Sequence, residues 1–491
     1  MNTFTKKSLH IALAGLGTLG LAGAADAVMV NPNGLGQVLI YPYYTVRSPA
    51  GVGIAQYNTL LSIVNTTNST KSVKVRFREG KASAEVLDFN VFLSPFDMWT
   101  AAVEPDGAGG AQIETQDTSC TIPTFSGPVP FRTGGYEGDA VGNDTVDRLT
   151  EGYFEVFEMA TYATDSNTYK NSKHSAGKPK DCSAINDTDA LNEALLPGGG
   201  LSGGATMINV LSGDAFTEDA TALINFSDSS IYSNTGVDTP NFGAASPTIG
   251  AAVDSFGQIL TGIYSTGTLD AEKSVAMSLQ KSSVVNEFVL EKSTLSGTDW
   301  VLTFPGKHAF VDPAGKAASI PPFQGKLGKL GACDPAILTT YDREEGKTTP
   351  TGPDFSPSPG IPGFNLCWEA NIISFKNTGA SNIANVLGSD NSYTVGTLFS
   401  NGWGVVTFDT TGTNPKAINI ATGAFVYDPM NPAGGASATG TTFAGLPTIG
   451  FAVQTFVNGT LSDTAGKLIQ SSYGGNFGHR YTGPEVLGFA P

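Results

Sequence analysis

The 491-residue chain carries 27 basic and 44 acidic residues, a formal net charge of −17, and only 14% of its residues are charged. A surface this acidic repels nucleic-acid phosphates and anionic lipid headgroups, so nucleic acid is not an expected partner. At 40% hydrophobic the chain can bury a core, and its 60 glycines amid abundant Ser, Thr and Asn match the uncharged polar composition of extracellular β-proteins.

Lys6 and Lys7, an apolar run from about Leu9 to Ala24 and the small residues Ala25-Asp26-Ala27 read as a secretory signal peptide over residues 1–27, with the mature chain beginning at Val28. No later run reaches the roughly 20 apolar residues of a transmembrane helix. No cysteine follows the cleavage position and no twin arginine precedes it, so neither a lipid anchor nor folded export is expected.

The first mature segment reads as strands: Leu35–Val46, Asn58–Asn65, and an alternation in which Val73, Val75 and Phe77 face one way and Lys74, Arg76 and Arg78 the other. Glu85–Leu93 and Met98–Val103 follow, with turn residues between them, which predicts an antiparallel β-sandwich. Residues 105–143 are rich in Gly and Pro and read as a long surface loop tethered by Cys120. Gly152–Met159 returns to strand character. The polar stretch 164–189, with Lys170, Lys173, His174, Lys178 and Lys180, reads as a solvated loop.

Asp189–Leu196 and Leu269–Val285 have helix-compatible composition, the latter with Asp270 and Glu272 where the helix dipole favours them. Strands are expected again at 287–290 and 300–304. The stretch Pro313–Pro362 reads as a proline-rich connection outside regular structure. Strands close the chain at 367–376, 402–408 and 449–457. The expected fold is therefore mainly β: antiparallel sandwich-like regions at 28–180 and 297–491, a mixed helix and strand segment at 181–296, and long disulfide-tied loops. Leu61-Ser62-Ile63-Val64-Asn65-Thr66 echoes Ile373-Ser374-Phe375-Lys376-Asn377-Thr378, either as a trace of two related domains or as the common grammar of a strand entering a turn. Irregular strand spacing, proline-rich loops and helix argue against a porin-like barrel.

Four cysteines allow three pairings. Sequence order favours Cys120 with Cys182 and Cys333 with Cys367, each closing one local loop in an oxidising compartment. Metal binding by these cysteines lacks the short Cys-x-x-Cys or adjacent His spacing it needs.

Chemistry-bearing motifs are sparse. The mature chain holds His174, His308 and His479, widely separated, and no His-Glu-x-x-His, Gly-x-Ser-x-Gly, phosphate loop or dinucleotide fingerprint. No catalytic residue or cofactor is assigned. An extracellular hydrolase would need a polar cleft around His308 or His479 with a partner carboxylate. Oxygen ligands for Ca²⁺ are offered by Asp334, Asp342, Glu344, Glu345 and Asp354, by Asn143, Asp144 and Asp147, and by Asn186, Asp187 and Asp189, without the spacing of a twelve-residue calcium loop. Turn-forming Asx residues account for the same pattern. Tyr41, Tyr43, Tyr44, Trp99, Trp300, Trp368 and Trp403 would make a sugar-stacking platform if several shared an exposed face, whereas Trp99, Trp300 and Trp403 sit in or beside apolar strands and are expected in the core.

The run Gly34–Tyr44 (GLGQVLIYPYY), Val73–Trp99, Glu151–Met159 (EGYFEVFEM), Asp299–Pro305 (DWVLTFP) and Leu366–Asn371 (LCWEAN) together resemble a family of secreted proteobacterial cell-surface proteins. The resemblance implies an exported location and carries no activity to particular residues. The expected role is a non-enzymatic cell-surface or extracellular-matrix protein, structural or adhesive, working by self-association or by pairing with surface partners through sheet edges. A secreted or periplasmic protein that binds carbohydrate or Ca²⁺ is the alternative, and a hydrolase the third.

Overall fold

The computed structural model describes residues 26–48, 57–255, 257, 259–265, 267–311, 319–348, 364–379, 382, 384–408, 417–419, 424–426, 437–438, 442–466 and 468–487. Nearly all of the signal-like segment, the prolines from Pro350 to Pro362 and Asp354 lie outside these residues. With 47% strand and 11% helix, the protein is mainly β, and among the described residues its sheets are antiparallel but for the one parallel strand pair 372–377 with 392–397.

Residues 28–224 supply β1 (Met29–Val30), β2 (Val38–Thr45), β3 (Tyr57–Asn65), β4 (Thr70–Glu79), β5 (Glu85–Leu93), β6 (Met98–Pro105), β7 (Ala111–Glu114), β8 (Cys120–Ile122), β9 (Val129–Pro130), β10 (Glu151–Tyr162), β11 (Leu201–Asn209), β12 (Ala215–Asp219) and β13 (Thr221–Ile224). Sheet I has the order β1-β13-β2-β10-β4-β5-β8, and sheet II the order β12-β11-β3-β6-β7-β9. They enclose one core, in which Tyr41, Phe77 and Val156 of sheet I meet Ile63, Trp99 and Val103 of sheet II. The expected loop at 105–143 thus contributes three short strands, β7 to β9, because alternating Ala111 and Ile113 have an apolar face to bury.

β2 is buried along its whole length, as its unbroken apolar run requires. Pro42 is accommodated in this central strand because the β2–β10 register shifts between Gly152 and Phe154, so the missing N–H falls at an irregularity in the ladder.

The second half supplies β14 (Ile249–Val253), β15 (Ile259–Ile263), β16 (Ser283–Val289), β17 (Gly297–Thr303), β18 (Asp334–Asp342), β19 (Lys347–Thr348), β20 (Phe364–Leu366), β21 (Ala370–Asn377), β22 (Ser392–Thr397), β23 (Asn401–Phe408), β24 (Ile449–Ser462), β25 (Leu468–Gly478) and β26 (Arg480–Thr482). Sheet III runs β19-β18-β23-β16-β26 with β20 beside β18, and sheet IV runs β22-β21-β17-β24-β25. Phe288 and Val406 of sheet III pack against Trp300 and Phe375 of sheet IV. Helix α1 (Asn167–Ser172) and α2 (Asp187–Asn192) lie between the strands of the first half. The helix-compatible stretch 269–285 divides into α3 (Asp270–Leu279) and the start of β16. β18 corrects the reading of 313–362 as irregular throughout: between Pro335 and Pro350 no proline intervenes, and Ala336, Leu338 and Thr340 alternate inward.

The two pairs of sheets share a junction. Val301, Ile372, Phe451 and Val453 on the outer face of sheet IV pack on Tyr43, Tyr57, Met207 and Phe216. At its edge the Glu151 carboxylate accepts from Tyr43 Oη (2.6 Å), Ser389 Oγ (2.5 Å) and Asp390 N (3.0 Å), so one buried acid ties three segments.

The echoed hexapeptides end β3 and β21 with the same local device. Asn65 Oδ1 accepts from Thr67 N (3.1 Å), and Asn377 Oδ1 from Gly379 N (2.8 Å). Each is an asparagine turning the chain two residues on.

Candidate functional site

The charged face of β4 sets the site. Lys74, Arg76 and Arg78 alternate with core residues, yet they are buried, because residues 233–240 cover them. Lys74 Nζ donates to Asp88 (2.9 Å) and Asn234 O (2.8 Å). Arg76 donates to Glu85 (2.6 Å), Pro240 O (2.8 Å) and Asp238, and Arg78 to Glu155 (2.9 Å) and Ser83 O (2.7 Å). Burying this many charges is tolerable only because each has a partner.

Beside this layer lies a cavity of about 870 Å³, the size of a small-molecule site. β8 pairs only with Asn90–Phe92 of β5, which leaves Leu87 and Asp88 facing the cavity together with Arg78, Asp238, Phe125 and His308. His308 arrives on α4 (Lys307–Val311), whose Lys307 is anchored by Asp334 (3.2 Å) and Leu366 O (3.2 Å). Its ring is about one-third exposed, while Nδ1 is buried 3.8 Å from Glu369 Oε1. The Cys333–Cys367 disulfide and the Ala332 N to Cys367 O bond (2.9 Å) hold the segment that carries Glu369.

Glu369 is buried, and neither carboxylate oxygen has a hydrogen-bond partner among the described residues. Burial pushes its carboxyl up to about 8. Burial, then the charges of Arg78 and Arg76, hold His308 well below its ordinary value. At neutral pH the pair is therefore a neutral acid facing a neutral imidazole, of which only the His308 ring reaches the cavity wall.

Linkage gives a direction. A carboxyl at about 8 when folded and near 4.5 when unfolded binds more protons in the folded state between those values, so it makes stability fall as pH rises from about 4.5 to about 8. His308 acts oppositely, adding stability as pH rises to about 6.5. Urea unfolding of Glu369→Gln across this range is expected to show a shallower fall above pH 6.5 than wild type. An unchanged slope would mean that Glu369 titrates normally.

The other histidines are differently placed. His479 Nε2 donates to Val301 O (2.9 Å) and Nδ1 accepts from Asn286 Nδ2 (3.0 Å), so both nitrogens are engaged. His174 Nδ1 meets Ser94 Oγ (2.8 Å) and Asp97 Oδ2 (3.4 Å), bringing a serine, a histidine and an aspartate together. Serine and acid share one ring nitrogen, whereas nucleophilic activation needs them on opposite nitrogens. Ser94 N and Oγ also bond Asp97, as in a turn. Ser83 lines the cavity with φ 57°, but its hydroxyl pairs with Tyr153 Oη (2.8 Å).

The acidic constellations are dispersed, and among the described residues no group of three or more His, Cys, Asp or Glu is arranged to hold a metal ion. Asp334 meets Lys307 and Gln324 N, and Asp342 Oδ1 accepts from Glu344 N and Gly346 N. Asp147 pairs with Arg47, Asp144 accepts from Gly138 N, Asp187 from Tyr232 Oη, and Asn186 caps α2 through Asp189 N.

Tyr41, Tyr43, Tyr44, Trp99, Trp300 and Trp368 are buried. Trp403, expected in the core, is 41% exposed and stacks on Tyr341 at 4.3 Å. On β23 the inward positions include Gly404, where a Cβ would sit 3.0 Å from Trp300 Cη2; Trp300 fills that space, and the odd-numbered residues turn outward.

The two disulfides join Cys120 to Cys182 and Cys333 to Cys367, the pairing sequence order favours, and fit an oxidising environment. Among the described residues no helix is long and apolar enough to cross a membrane. No family model matches the chain, and no curated protein is significantly similar to it.

Proposed function

We propose that this is an exported, non-enzymatic cell-surface or matrix protein that associates with further copies of itself through a sheet edge. The observation that carries this reading is β25, an 11-residue edge strand of sheet IV (LIQSSYGGNFG) with no charge and no proline. Natural edge strands are usually short, charged or interrupted, so a long neutral one is a template for pairing. Gly474 packs on Phe216 and Asn476 bonds Thr217 N, which covers one end through β12. Leu468–Ser472 has no strand beyond it among the described residues. Two such strands related by a two-fold axis pair antiparallel with identical surfaces, so a second copy is the natural occupant. Low charge density, two disulfides and the resemblance to secreted surface proteins support the same reading.

Sedimentation at about 100 μM, a range suited to weak edge contacts, is expected to show a dimer or larger species that Ser472→Lys converts to monomer. A wild-type monomer at that concentration would sink the reading. Protease shaving of intact cells, with a periplasmic control protein, is expected to release it.

A second reading, a secreted or periplasmic binding protein, is favoured by the cavity that His308 lines. A hydrolase, the third reading, would use His308 as base, with the Glu369 carboxylate behind it only above about pH 8, where that group ionises. Protection from shaving together with a monomeric state would put the binding reading first.

A further inference from the structure

A second cavity, of about 370 Å³, lies where sheets I, III and IV approach one another. Its walls include Val30, Ala252, Leu279 and Ile449, apolar residues drawn from four elements. The titratable groups lining it are Glu218, Lys281, His479 and Tyr481.

Lys281 is the unusual member. It directly follows α3 and Gln280, and its Nζ donates to Thr448 O (2.5 Å) and lies 4.5 Å from the centre of the Tyr481 ring. No carboxylate lies within 4.0 Å of it among the described residues, whereas Lys71, Lys74 and Lys307 each have one. The other groups do not neutralise it. Burial, helped by the charge of Lys281 and only partly offset by the bond to Val301 O, lowers His479 to about 3 and keeps it neutral, and Tyr481 offers only a ring face. Glu218 bonds Asn476 Nδ2 (2.9 Å). A partly buried ammonium with one carbonyl and an aromatic face, opening on an apolar chamber, is an incomplete ion pair.

We propose that this cavity binds a small monocarboxylate with an apolar body, its carboxylate on Lys281 Nζ and its chain against Val30, Leu279 and Ile449. The site is separate from the His308 cavity and touches β25 only at its far end, through Gly478 and, by way of Glu218, Asn476. Burial lowers Lys281 to about 8 and raises Glu218 to about 7. Binding of an anion therefore weakens as pH rises, first as Glu218 ionises and then as Lys281 loses its proton.

Titration calorimetry on the full mature chain with hexanoate, 1-hexanol and hexylamine tests this. At about pH 6.5 hexanoate is expected to bind one to one, at least about tenfold more tightly than the alcohol or the amine. Lys281→Met is expected to lose at least about tenfold in affinity and Lys281→Arg to keep most of it. Glu218→Gln is expected to tighten hexanoate binding at about pH 8 and serves independently if Lys281→Met fails to fold. No hexanoate binding at about 5 mM, equal affinity for 1-hexanol, or a folded Lys281→Met that binds as wild type would overturn the proposal.

Discussion

Reducing both disulfides is expected to lower the free energy of unfolding by about 4 kcal/mol per bridge, enough together to unfold a protein of ordinary stability. The bridges join residues 62 and 34 positions apart, and closing loops of that length removes conformational freedom chiefly from the unfolded chain. Urea unfolding with and without a reductant, followed by Cys120→Ala/Cys182→Ala and Cys333→Ala/Cys367→Ala variants, separates the two contributions. The second pair has a further expected consequence. Cys367 lies two residues before Glu369, so opening that bridge should also abolish the pH dependence assigned to the buried carboxyl. Losses below about 1 kcal/mol per bridge would mean that sheet contacts already hold these loops in the unfolded ensemble.

The second large effect is expected at Arg148. Its guanidinium donates to Glu79 Oε1 (2.9 Å) and Oε2 (3.3 Å) and to Asp139 Oδ2 (2.8 Å), and it lies over the Tyr136 ring at 4.1 Å. Arg148 and Glu79 are both buried. Arg148→Ala leaves the Glu79 carboxylate buried without its cation, which costs about 3–5 kcal/mol. Arg148→Lys should recover only part of this, because a single ammonium cannot reproduce a planar fork meeting two carboxylates. Chemical denaturation midpoints measure both. A loss under about 1 kcal/mol for the alanine variant would show that the backbone N–H groups of Lys81, Ala82 and Ala84, which also bond Glu79, suffice to hold it.

Much of the strand framework was legible because its signal is local. The alternation of Val73, Val75 and Phe77, the continuous apolar run of β2 and the pattern of Glu85–Leu93 each require a face to bury, and each became a strand of sheet I. β18 was hidden by Pro335 at its start and by the prolines before and after it in the chain. Trp403 was misplaced for a related reason: its neighbours are apolar, but Gly402 and Gly404 hold the inward positions, and a glycine gives no periodicity signal.

The candidate sites were less legible. His308 could be named as a histidine needing an acid, yet Glu369 is 61 residues away and reaches it only because a short helix and a disulfide bring the two segments together. Lys281 gave no signal at all, since a lysine after a helix is ordinarily solvated.

Composition, cysteine order and side-chain alternation by themselves determined the mainly β character of this protein, its disulfide-compatible chemistry and the position of most strands, because those properties depend on neighbours along the chain. Tertiary structure alone decided that the charges of β4 are buried and paired, that Trp403 faces outward, and that His308 meets Glu369 while Lys281 meets no acid among the described residues. Each of those outcomes depends on which distant segment covers a given face, and burial and pairing are set by that covering rather than by the residue itself.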